Sequence, residues 1–252
     1  MSFLISAPIV FLAGTALGSF LNVVILRYPR SPAGGRSRCP NCHKTLSAWE
    51  LIPILSYIFL RARCRKCQNS ISVQYPIIEL VMGISALVLF IPLPAESSLY
   101  FLPILNISII ALLLILFMID LRTFILPDLF ILFLIATSAI KAILVNTALT
   151  FSLAGIAVGA GFLCFLWLIS RGRLGIGDIK LMVPLGILFG PGGSGVLLMS
   201  AFIIGGLVSL GLLLTHRATM KTAVPFGPFL TGIAVLLILI PALQQTIINI
   251  IL

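Results

Sequence analysis

The chain has 252 residues, of which 60% are hydrophobic and 9% are charged, and its mean hydropathy is +1.25. Soluble domains carry roughly a quarter charged residues, so the composition excludes an ordinary soluble protein and indicates a polytopic membrane protein. A net charge of +10 would suggest a nucleic-acid or lipid partner if it were spread evenly. The basic residues are clustered instead, and we expect no nucleic-acid partner.

Eight apolar segments follow one another along the chain. Most are near the ~20 residues that a spanning helix needs, and the sixth is shorter and holds Pro184 and Gly186. Because a backbone in lipid must satisfy its own hydrogen bonds, we expect an all-α protein with about eight transmembrane helices. The segments are about 4–26, 74–91, 100–120, 126–146, 151–170, 178–191, 196–215 and 226–251.

The lysines and arginines predict the topology. With the N-terminus outside and eight crossings, fifteen of the sixteen lie at cytoplasmic ends or loops, and only Lys141 lies toward the outside. Such a bias is typical of the cytoplasmic side. The first segment lacks a preceding basic residue and a clear A-x-A site, so we interpret it as a mature span. We therefore expect a first transmembrane helix (1–26), a cytoplasmic loop domain (27–73) and a membrane-embedded domain with the acidic site (74–252).

Four cysteines lie in this cytoplasmic loop, as two C-x2-C pairs separated by 21 residues. The spacing is typical of paired zinc knuckles, and four thiolates suit a closed, structural tetrahedral zinc site. A redox pair, two disulfides or free thiols are the alternatives, although cytoplasmic thiols are normally reduced. The loop also contains an apolar stretch, 51–60, whose length suits an interfacial or packed segment. The predicted ligands are Cys39, Cys42, Cys64 and Cys67, whereas Cys164 lies alone in an apolar segment.

Two of the six acidic residues stand at the cytoplasmic ends of apolar segments. Asp120 ends the run LLLILFMID, and Asp178 stands in LGIGDIK at the start of the sixth segment. The topology gives both the same membrane depth. Two carboxyls that share a proton can hydrolyse a peptide bond, one as the base on water and the other as the acid.

The residues around Asp178 have two interpretations. Gly175 and Gly177 permit close approach of an extended substrate, and Lys180 is a candidate supporting residue. Alternatively, Gly-x-Gly-Asp starts a helix with Asp178 as its N-cap. The matching depth of Asp120 favours catalysis.

The other acidic residues have weaker functional interpretations. Asp128 follows Pro127, so a negative charge in the first turn of a helix explains it, and we keep it as a supporting residue. Glu79 follows Tyr-Pro at the start of the second segment, where it could bind an amine, pair with loop arginines or form a buried ion pair. Glu50 and Glu96 are expected to be solvated.

Taken together, these motifs resemble the bacterial type IV prepilin peptidases over nearly the whole chain. The matching pieces are GSFLNVVILRYPR at 18–30, the CPNC and CRKC knuckles around WELIPILSYIFL, QYPIIE at 74–79, DLRTFILPD at 120–128, LGIGDIKLM at 174–182 and PFGPFL at 225–230. Seven pieces in this order form a specific pattern.

The resemblance implies a bacterial inner-membrane enzyme that cuts a prepilin or pseudopilin leader after a glycine at the cytoplasmic face. The catalytic pair of the family falls on Asp120 and Asp178. The resemblance also implies N-methylation of the new N-terminus with S-adenosylmethionine, although the sequence has no glycine-rich strand–helix turn for a nucleotide. Prepilin helices and membrane lipids, including anionic headgroups attracted by the basic loop, are the expected partners.

Two other classes of function remain open at this point. A thiol–disulfide oxidoreductase would use the C-x2-C pairs, but the topology places them on the reducing side. A proton-coupled transporter would use Asp120 and Asp178 as relays, but such folds often have two related halves, and none is evident here.

Overall fold

The computed structural model describes residues 2–29, 35–90, 101–216 and 224–243, and the single residues 219, 222 and 246. Within these ranges every regular element is a helix, and β structure is limited to two isolated bridges. The predicted all-α fold is confirmed. The chain divides into two compact units, 1–107 and 108–252.

The first unit contains two long helices and the cysteine loop between them. The elements are α1 (Ser2–Arg27), a 3₁₀ turn (Ala48–Leu51), α2 (Leu55–Phe59) and α3 (Gln74–Phe90).

Glycines on α1 let this helix approach α3 closely. A Cβ built on Gly18 would lie 2.7 Å from the Cα of Glu79, so no side chain fits between the two backbones. Near the loop end of both helices, the Asn22 side chain donates to the Tyr75 carbonyl (3.3 Å) and accepts from the Gln74 amide (3.1 Å). Small residues and interhelical hydrogen bonds replace the hydrophobic effect as the source of helix association in lipid.

The second unit is a bundle of membrane helices. Its first helix, α4, begins within the first unit. The elements are α4 (Phe101–Thr123), α5 (Asp128–Leu144), α6 (Leu149–Ile156), a π-helical turn (Ala157–Gly161), α7 (Phe162–Ile169), α8 (Ile176–Leu214) and α9 (Gly227–Leu239).

The 39-residue helix α8 contains both the sixth and the seventh apolar segments. A straight helix of this length would extend for nearly 60 Å, about twice the apolar thickness of a bilayer. Gly190 interrupts it with non-helical angles (φ 63°, ψ −169°), and Pro191 follows. The break at Gly190 separates two helical parts of more ordinary length.

Among the described residues, four helical stretches are long and apolar enough to cross a membrane: Ala7–Arg27, Phe101–Thr123, Leu149–Ile169 and Ile176–Leu214. Gln74–Phe90 and Gly227–Leu239 are shorter apolar helices. Each of the eight predicted segments coincides with helix in the described residues, and segments six and seven correspond to the two helical parts of α8 on either side of Gly190.

The described loop corrects one expectation about the acidic residues. Glu50 is not solvated: it accepts hydrogen bonds from the backbone N–H and the hydroxyl of Ser47 and forms an ion pair with Lys44 at 2.8 Å. The hydrogen bond from Lys44 lowers the pKa of Glu50 to about 2. Glu96 lies outside the described residues.

Candidate active site and metal centre

Asp120 lies in the last turn of α4, with only 5% of its surface exposed. The backbone N–H of Gly227, the first residue of α9, donates a hydrogen bond to its carboxylate. The amino end of a helix carries partial positive charge. The start of α9 therefore presents both a donor and a favourable field to Asp120.

Asp178 lies in the first turn of α8 and is 8% exposed. The N-cap of this helix is Gly175, whose carbonyl accepts from the Asp178 N–H at 3.2 Å. Asp178 is therefore not the N-cap: it is the third residue of the helix, three positions after the N-cap Gly175. A Cβ on Gly175 would lie 3.0 Å from an Asp178 carboxylate oxygen, so this glycine leaves space beside the carboxylate.

The two aspartates converge on Gly227. A Cβ built there would lie 2.5 Å from an Asp120 carboxylate oxygen and 3.4 Å from one of Asp178. Because both oxygens lie so near the same point, the Asp120 and Asp178 carboxyl groups are close to each other. They also interact electrostatically. Three helices that are distant in sequence thus bring two buried carboxyls to one small space.

Gly227 was missed as a site residue in the sequence. It belongs to the PFGPFL piece, where Pro-Phe-Gly-Pro predicts a turn and a helix start. Nothing in that local pattern indicates that the missing side chain leaves room for two carboxylates from other helices. Only the three-dimensional packing reveals it.

Asp128 and Lys180 form an ion pair on the exposed surface. The Lys180 Nζ is 2.7 Å from an Asp128 carboxylate oxygen, and both side chains are exposed. Asp128 is the first residue of α5 after the N-cap Pro127, as a helix-start role requires. Beside them, a Cβ on Gly177 would lie 3.2 Å from the Leu126 side chain, so the segment before α5 packs on the start of α8.

Glu79 lies in the first unit and has partners other than arginine. Its carboxylate accepts from the Ile54 backbone N–H at 2.7 Å and from the Ser19 side chain. It is 6% exposed. In the described residues this carboxylate therefore connects α1 and α3 to the start of α2.

The four loop cysteines form one cluster in which all four Sγ atoms lie within 4.8 Å of one another. The Cys39–Cys67 and Cys42–Cys64 Sγ distances are 3.8 and 3.9 Å, and none of the four forms a disulfide. A tetrahedral zinc ion with bonds of ~2.3 Å places its sulfurs about 3.8 Å apart. Two of the Sγ–Sγ distances have this value and the whole cluster is compact, so the four cysteines could hold one metal ion.

The two C-x2-C knuckles have the same backbone pattern. In the first knuckle, the backbone N–H of His43 donates to the Cys39 carbonyl at 3.0 Å. In the second, the backbone N–H of Gln68 donates to the Cys64 carbonyl at 2.9 Å. His43 and Gln68 both have positive φ, 55° and 57°. The backbone N–H of each first cysteine donates to the carbonyl of the residue five positions later, which is Lys44 (2.9 Å) in the first knuckle and Asn69 (2.8 Å) in the second. Two equivalent turns therefore present their sulfurs to one position.

These features define a polytopic helical membrane protein with a buried aspartate pair and a cysteine-clustered loop. Residues 12–93 match the family model described as Bacterial Peptidase A24 N-terminal domain, and residues 107–210 match Type IV leader peptidase family. The second match contains both Asp120 and Asp178.

Curated relatives agree with this assignment. The chain is 35% identical to the Prepilin leader peptidase/N-methyltransferase of Burkholderia pseudomallei (strain 1026b), over 87% of this chain and 80% of that protein. It is 32% identical to the protein of the same name from Bacillus subtilis (strain 168), over 90% and 92%. It is 33% identical to an Escherichia coli O78:H11 protein named Type 4 prepilin-like proteins leader peptide-processing enzyme, over 88% and 90%. No solved structure matches the chain.

The chain belongs to the type IV leader peptidase family. Its family and its apolar helices make it an inner-membrane protein. The comparisons give no support to a thiol–disulfide oxidoreductase or a proton-coupled transporter.

Proposed function

We propose that the chain cleaves the leader of type IV prepilins or pseudopilins after a glycine, with Asp120 and Asp178 as the catalytic pair, and N-methylates the new N-terminus. The observation that carries the peptidase assignment is the convergence of two buried carboxylates beside Gly227. The names of the relatives support the substrate and both activities.

The pair hydrolyses the peptide bond without a covalent intermediate. An ionised aspartate removes a proton from water, which adds to the carbonyl carbon of the glycine itself, while the protonated partner donates to the oxygen of that carbonyl. Proton transfer to the leaving nitrogen then breaks the C–N bond and releases the leader acid and the new amine. Because the Gly227 N–H and the start of α9 favour an anion at Asp120, we assign Asp120 as the initial base and Asp178 as the acid.

Gly175, next to Asp178, gives the substrate backbone access to the carboxylate, whereas Gly177 faces Leu126. Gly175 lines one side of the carboxylate, and a side chain there would occupy space next to the reacting atoms. An extended segment around the scissile glycine fits such a position better than a helix does, because its peptide bond is exposed to the two carboxyls.

The orientation that we propose puts the N-terminus outside, with the loop 27–73 and the aspartate pair at the cytoplasmic face. The distribution of lysine and arginine supports it. A prepilin has a short basic leader followed by an apolar membrane helix, so its scissile bond lies near the depth of Asp120 and Asp178. The basic loop attracts anionic lipid headgroups.

We assign the cysteine cluster to a structural zinc ion held by Cys39, Cys42, Cys64 and Cys67. Zinc would hold the two knuckles together, because a loop of this size has little hydrophobic core. The described residues contain no strand followed by a glycine-rich turn, the arrangement that holds a nucleotide in many enzymes. We therefore assign the methyl donor to no residues and derive no step through it.

Incubation of the purified, lipid-reconstituted protein with a prepilin and S-adenosylmethionine tests both activities. Mass spectrometry should find the mature chain starting directly after the leader glycine, with the added mass of one methyl group. An intact prepilin would contradict the peptidase assignment, and a cleaved but unmethylated product would contradict the second activity.

A further inference from the structure

The segment Trp49–Phe59 exposes large apolar side chains in a loop outside the membrane helices. Trp49 and Phe59 are each 80% exposed, and Leu51, Leu55 and Ile58 are also exposed. The ten residues 51–60 include no charged side chain. Several exposed large apolar side chains within eleven residues are typical of an interaction site.

A hydrogen bond fixes the depth of this segment relative to the membrane helices of the same unit. The backbone N–H of Ile54, directly before α2, lies 2.7 Å from the Glu79 carboxylate. Glu79 belongs to the second turn of α3 and also accepts from Ser19 of α1. The segment is therefore held against the loop ends of α1 and α3.

The charge around the segment complements an anionic surface. Four exposed basic residues follow it directly: Arg61, Arg63, Arg65 and Lys66. No acidic residue occurs between 51 and 73, and Glu50, immediately before the apolar stretch, is paired with Lys44. Basic clusters beside apolar, tryptophan-bearing segments are typical of helices that lie in the headgroup region of anionic membranes.

We propose that Trp49–Phe59 is an interfacial anchor that inserts into the headgroup region of an anionic lipid leaflet. Tryptophan prefers this depth because its ring is apolar while its N–H remains hydrated. The anchor holds the cysteine knuckles close to the membrane surface. The proposal rests on the membrane location of the chain and is independent of the catalytic assignment.

The full chain contains two tryptophans, Trp49 and Trp167, so Trp167→Phe makes Trp49 the only reporter. This variant is placed in lipid nanodiscs that hold one protein copy and no substrate, and its fluorescence is titrated with brominated lipids and with aqueous acrylamide. We expect strong quenching by lipids brominated near the headgroup and protection from acrylamide. Full acrylamide quenching without lipid quenching would overturn the proposal and favour a prepilin helix or a second copy as the occupant.

A second comparison tests the anionic preference. Phosphatidylglycerol in the nanodisc should increase the lipid quenching of Trp49, and the double variant Arg61→Gln, Arg63→Gln should lose that increase. Arg171→Gln with Arg173→Gln, two exposed basic residues outside the loop, is the matched control and should keep it. Equal quenching in anionic and zwitterionic nanodiscs would refute the choice of an anionic surface.

The role of Glu79 can be separated from that of the lipid. Glu79→Ala removes the acceptor of the Ile54 N–H, so it should increase acrylamide access to Trp49. Glu79→Gln retains a side-chain acceptor oxygen and should stay closer to the parent. If Glu79→Ala leaves both quenching profiles unchanged, the hydrogen bond does not set the depth of the anchor.

Discussion

At the residue scale, the absence of a side chain at Gly227 lets two carboxylates from different helices face one space. The backbone N–H of the same residue donates to Asp120, so Gly227 contributes both room and a hydrogen bond. Its position at the start of α9 directs the partial positive charge of that helix toward the pair. A substitution here would place atoms directly against the two carboxylates.

Gly227→Ala should therefore suppress leader cleavage. The new methyl group would lie 2.5 Å from an Asp120 oxygen, displacing the carboxylate or the substrate, and misplacement of about 1 Å at a reacting group can cost on the order of 100-fold in rate. Gly232→Ala on the same helix is the control, because its methyl group would make ordinary contact with Phe117 at 3.5 Å. The rate of prepilin cleavage is measured for both glycine variants. Equal rates for Gly227→Ala and Gly232→Ala would refute the role given to Gly227.

Asp128→Asn should retain most of the cleavage activity. Its ion pair with Lys180 is exposed, and such pairs contribute about 0–1 kcal/mol, so the rate should change by no more than about fivefold. The same assay measures it. Loss of activity as complete as that expected for an Asp120 variant would place Asp128 in the catalytic machinery.

How far the site could be predicted differs between these residues. Six acidic residues in 252 made Asp120 and Asp178 conspicuous, because a carboxyl at the end of an apolar run needs a reason. The partners of Asp128 and Glu79 could not be predicted, since a backbone N–H such as that of Ile54 has no signature in the sequence. Their site roles stay predictions.

At the element scale, α6 and α8 pack through glycine. The missing side chain of Gly186 brings α8 within backbone contact of α6, where a Cβ would lie 2.6 Å from the Ile156 nitrogen. Further along α8, Gly190 breaks the helix in front of Pro191. Close glycine-mediated packing is a principal source of helix association in lipid.

Gly186→Ala should destabilise the bundle by about 1–3 kcal/mol. The new methyl group would clash with backbone atoms of α6, and these can be displaced only by shifting the helix itself. Gly206→Ala on the same helix has open space around it and serves as the control. Thermal unfolding of the purified protein in detergent should show a lower midpoint for the first variant only. Equal midpoints would contradict the observed packing of α6 on α8.

The cysteine knuckles predict a metal-dependent element. Cys39→Ser should lower the zinc content of the purified protein and loosen the loop, while Cys164→Ser, a lone exposed cysteine, should keep it. Elemental analysis together with limited proteolysis of the loop measures both effects. A wild-type protein that binds no zinc would refute the assignment of the metal.

The elements themselves were largely predictable. Long apolar runs indicate helices because only helices satisfy the backbone in lipid, and the C-x2-C spacing indicated the cysteine cluster. The sixth and seventh segments were predicted as two helices divided near 192–195, and the structure places the division at Gly190, where the backbone leaves helical angles. Hydrophobic periodicity does not locate a break of a single residue.

At the scale of the whole molecule, the family prediction is confirmed by matches over most of the chain, whereas orientation stays a prediction from charge. Reporter domains fused after Leu144 and within the loop 27–73 test it. If the N-terminus is outside, the reporter fused after Leu144 should lie outside the cytoplasm, and the reporter fused within the loop 27–73 should lie in the cytoplasm. The reverse pattern would contradict the proposed topology.

The most direct test of the central claim compares Asp120→Asn and Asp178→Asn with the parent enzyme on a prepilin in reconstituted membranes, with product masses as the readout. Each substitution keeps the side-chain size but removes the acid–base function, so cleavage should fall by on the order of 10²–10⁴-fold while the proteins stay folded and inserted. If either folded variant releases the leader at a near-parental rate, the two aspartates are not the catalytic pair.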